Sequence, residues 1–193
     1  MLRPNLDGLP PLQLPQGYEL RTYRPGDDVH WTSIVSTAFQ RDPAGMNFDM
    51  LRKDAAFLPE RIFFIWHTEE PVATASAWLM RGGLPDAGWV HYVAVLPCHT
   101  GKRLGYWVSL ATLQRMVAEG RKRGWLSTDD FRLPAIKTYL NLGFEPLLIN
   151  ENQRERWRKV FADLGLPRLC ESFAQILNGP VCKMPDYPPC LQA

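Results

Sequence analysis

The chain has 193 residues, 46% hydrophobic and 22% charged, with 22 basic against 20 acidic side chains and a formal charge of +2. This balance predicts one domain with a sizeable core and excludes both wholesale disorder and nucleic-acid binding driven by net charge. Apolar runs such as 62–66 are far too short to cross a bilayer, and the first residues, with Pro4, Pro10, Pro11 and Pro15 among polar neighbours, lack the order of a secretory signal.

Residues 1–17 read as a proline-rich extended arm, because proline supplies no amide donor and disfavours helix before it. A first strand alternates over 18–23. Pro25-Gly26-Asp27 then turns the chain into a helix capped by Asp27 or Asp28, with Ile34, Val35, Ala38 and Phe39 on its apolar face. A short helix is predicted over 48–56. Strands over 61–68 and 71–80 form a hairpin through Glu69-Glu70, and the continuous apolar run 62–66 predicts burial on both faces. Gly82-Gly83 and Pro85-Asp86 mark a turn before a fourth strand, 89–96. Apolar residues at three- and four-residue spacing make 104–123 a helix with a wide buried face. A short fifth strand covers 125–128. Pro134 opens a helix that ends at Gly143 in a left-handed position, and 144–149 is expected as a sixth strand. Helices over 151–164 and 167–177 precede a tail with Pro180, Pro185, Pro188 and Pro189. The expected organisation is therefore an arm (1–17), a domain (18–149) and a helical extension with tail (150–193). Alternating strands and helices predict an α/β layer with helices on both faces.

The four cysteines, at 98, 170, 182 and 190, form no Cys-x-x-Cys pair, so the sequence points to reduced thiols in a cytoplasmic protein and to no metal. By spacing, a disulfide within the tail is geometrically open.

The informative stretch is Val93-Ala94-Val95-Leu96-Pro97-Cys98-His99-Thr100-Gly101-Lys102-Arg103-Leu104-Gly105. An apolar strand running into a glycine turn at a helix start presents backbone N–H groups and the positive end of a helix dipole to an anion. Downstream, Arg132-Leu133-Pro134-Ala135 leads on to Tyr139 and to Gly143-Phe144. The first stretch resembles the cofactor loop of the GNAT superfamily of N-acetyltransferases, Val-x-Pro-x-x-(Gln/Arg)-Gly-x-Gly-x-(Gly/Ala). The second resembles that superfamily's Asn-x-x-Ala-x-x-x-Tyr-x-x-x-Gly-Phe.

The resemblance implies a mixed, mostly antiparallel central sheet, splayed where the fourth and fifth strands part. It also implies acetyl-CoA as co-substrate and a small-molecule or peptide amine as acceptor. Under it, the amides of Thr100, Gly101, Lys102, Arg103, Leu104 and Gly105 cradle the pyrophosphate, with Lys102 and Arg103 adding charge. Thr100 stands where the family has Gln/Arg, and Arg103 where it has the middle glycine, so the Arg103 side chain must point away from the diphosphate. Val93 and Val95 pair through their backbone with the pantetheine arm, and the Val93 amide is the oxyanion donor. Tyr139 protonates the departing thiolate. Arg132 replaces the family's asparagine and turns its guanidinium to a cofactor carbonyl or phosphate. His91, placed by alternation on the face of Val93 and Val95, relays the amine proton through water, with Glu69 and Glu70 as other candidate bases. His99 lies in the cofactor loop, and His30 and His67 form no convergent pattern with it. No cysteine has an evident base in sequence, so the amine attacks the thioester directly. A non-catalytic acyl-CoA-binding or regulatory module of the same fold is the alternative, followed by an interaction protein using the helical C-terminus. The C-terminal region is free by sequence to pack on the domain or to reach a second subunit in a homodimer.

Overall fold

The computed structural model describes residues 1–79 and 86–182; Gly82-Gly83, Pro85, Pro185, Pro188, Pro189 and Cys190 lie outside the described residues. Its strands are β1 (Leu2–Arg3), β2 (Tyr18–Thr22), β3 (Ile62–His67), β4 (Glu70–Trp78), β5 (Ala87–Val95) and β6 (Arg123–Trp125). They form a six-stranded sheet in the order β1-β6-β5-β4-β3-β2. Every pairing is antiparallel except β5 with β6. The helices are α1 (Asp28–Phe39), α2 (Asp49–Arg52), α3 (Leu104–Ala118), α4 (Leu133–Asn141), α5 (Gln153–Asp163), α6 (Leu169–Ser172) and α7 (Ala174–Asn178).

The sheet is covered on both faces. On β3, Phe63 and Ile65 point into a core shared with Leu104, Val108 and Leu110 of α3, while Ile62 and Phe64 join Trp31, Ile34 and Val35 of α1. Period-two alternation inside an all-apolar run thus feeds two cores at once. Asp27 sits at the N-cap of α1 without capping it. Its carboxylate instead accepts both terminal nitrogens of Arg21, at 2.6 and 2.9 Å, and the Arg24 N–H at 2.6 Å, tying β2 to the helix start.

The strand expected over 125–128 lies at Arg123–Trp125, the helix over 167–177 divides into α6 and α7, and two further elements differ from expectation. The helix over 48–56 contracts to α2, because the Asp54 carboxylate accepts the Ala56 N–H at 2.7 Å and closes a turn there. Residues 144–149 form no strand; a single bridge joins Glu145 to Leu2. The place beside β6 is taken by the start of the chain. Leu2 donates its N–H to Glu145 O at 3.0 Å and accepts from Glu145 N–H at 2.8 Å, while Leu126 N–H donates to Met1 O at 3.1 Å. The proline-rich arm therefore contributes a strand to the sheet, and Leu6 behind it is 4% exposed in the core.

Candidate active site

β5 and β6 pair only at Ala87↔Arg123, Gly88↔Gly124 and Trp89↔Trp125. Beyond Trp89, β5 runs on to Val95 along β4 alone, so the two parallel strands part and leave a slot. Gly88 allows the close packing at the root of this slot, since a Cβ there would lie 2.6 Å from Cγ and Sδ of Met116 on α3. Part-way along β5 the register slips, from Thr74↔Ala94 to Ser76↔His91, and Tyr92 takes a left-handed φ of 49°. This is a β-bulge, an extra residue that bends the strand away from its neighbour.

The bulge also resets which way side chains face. Val93 and Val95 pack on the α3-side core with Leu104 and Tyr139. His91 lies against Trp78 and Tyr92, ring centroids 6.0 and 4.0 Å away, and these two residues belong to the α1-side core. The expected shared face of His91 with Val93 and Val95 is thus corrected: one inserted residue inverts the alternation. The His91 ring is half-buried, and its Nδ1 is shielded without a partner, as are the facing Ser76 Oγ and Trp31 Nε1. Desolvation, opposed by the Asp54 charge, lowers its pKa to about 4, so the ring is neutral at pH 7 and a weak proton acceptor.

At the end of β5 the chain makes a short turn over Pro97–His99, passes Gly101 at φ 78° and enters α3 through Arg103 at φ 58°. Thr100 N–H donates to Pro97 O at 3.2 Å, and the next bonded amide is Tyr106, to Arg103 O at 3.0 Å. The N–H groups from Gly101 to Gly105 find no acceptor among the described residues. Amides left open at the positive end of a fifteen-residue helix form an anion cradle. Arg103 folds back along the helix, its guanidinium carbon 4.6 Å from the Tyr106 ring centre and 5.5 Å from that of Trp107, which keeps its bulk off the cradle. Lys102 and Thr100 are exposed at its mouth.

Tyr139 on α4 is 6% exposed, and burial raises its pKa well above the ordinary phenol value, with the Arg132 charge pulling the other way. Its hydroxyl is therefore protonated throughout the neutral range. Arg132, at the N-cap of α4, stacks its guanidinium carbon 4.6 Å above the Phe39 ring of α1. It thus reaches toward the α1 side of the sheet, while the cradle heads α3 on the other side.

The hairpin turn runs through Thr68 and Glu69, and Glu70 already belongs to β4. Both glutamates are exposed at the end of this hairpin, next to His67, whose ring lies 5.3 Å from that of His99 in the turn after β5. The same end holds a cluster that the sequence did not reveal. Tyr18 OH and His99 Nδ1 are hydrogen-bonded at 2.8 Å, and the His67 ring lies 5.3 Å from that of His99 and 4.7 Å from that of Tyr18. Tyr18 and His67 meet through the pairing of β2 with β3, and His99 joins them from the turn after β5, so no local signal could announce the three together. Among the described residues no group of three His, Cys, Asp or Glu side chains could hold a metal, and no helix is long and apolar enough to cross a membrane.

The chain has counterparts among known proteins. The profile of the Acetyltransferase (GNAT) family matches residues 29–144, and the chain belongs to that family. It is 31% identical over 160 residues to a mycothiol acetyltransferase of Thermobispora bispora, covering 75% of this chain and 52% of the relative. The chain thus spans about half the length of the curated relative it matches. A GCN5-related N-acetyltransferase from Sphaerobacter thermophilus superposes with a TM-score of 0.54 at 25% identity, over 66% of this chain and 41% of that one. A GNAT family acetyltransferase from Brucella melitensis, solved with acetyl-CoA, superposes at 0.56 with 18% identity, over 67% and 83% of the two chains.

Proposed function

We propose that this chain transfers an acetyl group from acetyl-CoA to a primary amine by direct attack of the amine on the thioester. The observation that carries this reading is the run of unpartnered amides from Gly101 to Gly105, set where β5 has parted from β6. Those amides would hold the pyrophosphate, with Lys102 and Thr100 at the rim. The backbone of Val93 and Val95 offers a strand edge to the pantetheine arm, and the Val93 N–H meets the charge that develops on the carbonyl oxygen. The cofactor supplies the activated acetyl group. Tyr139, kept protonated by burial, donates to the sulfur as it leaves. The amine proton passes through water to solvent, with His91 accepting a hydrogen bond along that relay rather than keeping the proton.

Supporting this reading are family membership and the fit of the cradle to a diphosphate. The altered loop, with Thr100 and Arg103 in place of the family's residues, and the weak basicity of His91 favour the non-catalytic CoA-binding module instead. Calorimetry and turnover separate the two. Both readings expect heat on adding CoA, and only the enzyme releases free CoA with an amine. Tyr139→Phe should lower kcat about 10²- to 10⁴-fold while CoA still binds; an unchanged kcat removes Tyr139 from the mechanism. No heat at millimolar CoA from folded protein overturns the cradle itself.

We assign the transfer chemistry to residues 18–149 and a supporting role to 150–193. We place the protein in the cytoplasm, where the Cys98 and Cys170 thiols stay reduced. The acceptor is a small-molecule or peptide amine, and the curated relative's name points to one related to mycothiol. A homodimer is the proposed assembly.

A further inference from the structure

Arg132 is held differently from four arginines of this fold that sit in two-point ion pairs. Arg21, Arg61, Arg123 and Arg156 each send two nitrogens to one carboxylate, on Asp27, Glu119, Asp86 and Asp130. Arg132 reaches a carboxylate through Nε alone, 3.1 Å from Asp129, a residue whose side chain is 56% exposed. Its two terminal nitrogens make no hydrogen bond among the described residues. The guanidinium is nonetheless held in place. Its carbon lies 4.6 Å over Phe39 and 5.5 Å from the Phe131 ring centre, and the Arg132 N–H donates to Asp129 O at 3.0 Å, fixing the backbone beneath it. A stacked, oriented guanidinium with an open fork is preorganised for a carboxylate.

Its position is as informative as its bonding. Phe39 stacks on Tyr92 of the β5 bulge at 6.3 Å, and Tyr92 is the neighbour of Val93. On the other flank, Arg132 is the charge that acts on the Tyr139 phenol. The guanidinium therefore spans the gap between α1 with β5 and α4, on the side of the slot opposite the cradle. Phe131 beside it is 77% exposed, and at the far end of the row from Phe39 to Tyr92 lies Met50, 52% exposed, which receives the Tyr92 hydroxyl on its sulfur at 3.7 Å. Exposed aromatic and thioether surface beside an unfilled cationic fork fits a ligand that is anionic at one point and apolar at another. A cofactor phosphate does not fit there, because the cradle that would take it heads α3 on the far face.

We propose that Arg132 is the acceptor-specificity residue of this site and that the acceptor is an amine carrying a carboxylate and an apolar group, an amino acid in chemical class. The proposal rests on the acetyl-transfer reading for the identity of the slot, but its binding prediction does not depend on turnover. Arg132 grips the acceptor carboxylate in a bidentate pair, displacing the single contact to Asp129. The apolar group lies on Met50 and Phe131, and the amine is left facing Val93.

The test uses product-like probes that differ only in the carboxylate: N-acetyl-L-phenylalanine against N-acetylphenethylamine, and N-acetyl-L-methionine against N-acetyl-3-(methylthio)propylamine. Each is titrated by calorimetry into the full chain saturated with CoA. The expected result is at least tenfold tighter binding of the carboxylate member in one pair or both. Arg132→Gln should bring the members of each pair within about twofold while leaving CoA affinity unchanged, and Arg132→Lys, which keeps the charge but not the fork, should restore only part of the preference. Phe39→Leu, which removes the stack from a distance, should weaken the preference as well. Equal binding of the members of both pairs, or binding of none, overturns the proposal. CoA release from amines with no carboxylate preference overturns it while sparing the acetyl-transfer reading. Carboxylate-selective binding without CoA release from any amine sustains the site and overturns that reading instead.

Discussion

His91 illustrates how one buried ring links the site to stability. The folded protein holds its pKa at about 4 against 6.5 for a free histidine, chiefly by desolvation. Between those values the unfolded chain takes up a proton that the folded chain refuses, so stability rises with pH across the window and is lost as pH falls from about 6.5 to about 4. The ceiling of the effect is ~3 kcal/mol. Urea denaturation at neutral pH and at about pH 5 should therefore show wild type losing more stability on acidification than His91→Gln. Equal losses would mean that the ring is hydrated in solution. The same residue marks a limit of period-two reasoning. Its identity and strand were legible, but its face was not, because the inserted Tyr92 is chosen by the pairing of β5 with β4 and leaves no trace in the order of apolar residues.

The start of α3 is the element on which the cofactor reading turns. Its glycine turn and helical periodicity are local properties, so both were readable from residues close in the chain. The substitution of arginine for the middle glycine left open where that side chain goes. Arg103 occupies a left-handed conformation that costs an L-residue ~1–2 kcal/mol, partly offset by ~0.5–1 kcal/mol from contact with Tyr106 and Trp107. Arg103→Gly relieves the strain and loses the contact, so thermal unfolding should place it within about 1 kcal/mol of wild type. Arg103→Ala keeps the strain and loses the contact, and should be the less stable of the two by ~1 kcal/mol. Alanine matching glycine would show that position 103 is not strained. The strand expected over 144–149 failed for a different reason. Its residues are apolar enough to pair, but Leu2–Arg3 already occupies the edge of β6, and only Glu145 meets it.

In the molecule as a whole, the arm closes the sheet beside the slot. Met1 and Leu126 exchange backbone contacts, Leu2 bridges Glu145, Arg3 donates to the Leu142 carbonyl at the end of α4, and Leu6 fills the core. Deleting residues 1–6 removes all of these and leaves β6 with an open edge. The loss should exceed ~3 kcal/mol in urea unfolding and bring aggregation at concentrations where wild type is monodisperse. A truncated chain with an unchanged midpoint would show the arm to be dispensable. What neighbouring residues alone made legible was the order of β2 to β5 and of α1, α3 and α4, the glycine turn before α3, the tyrosine helix ending at Gly143, and a sheet buried on both faces. Propensity, periodicity and capping act over a few residues and are written in adjacent positions. What needed the folded chain was the identity of distant partners: the arm beside β6, the bulge that turned His91, the meeting of Tyr18 with His67 and His99, and the open fork of Arg132 on Phe39. Each depends on which strand edge or ring face wins a competition among many similar apolar surfaces, and that competition is decided by packing across the whole domain.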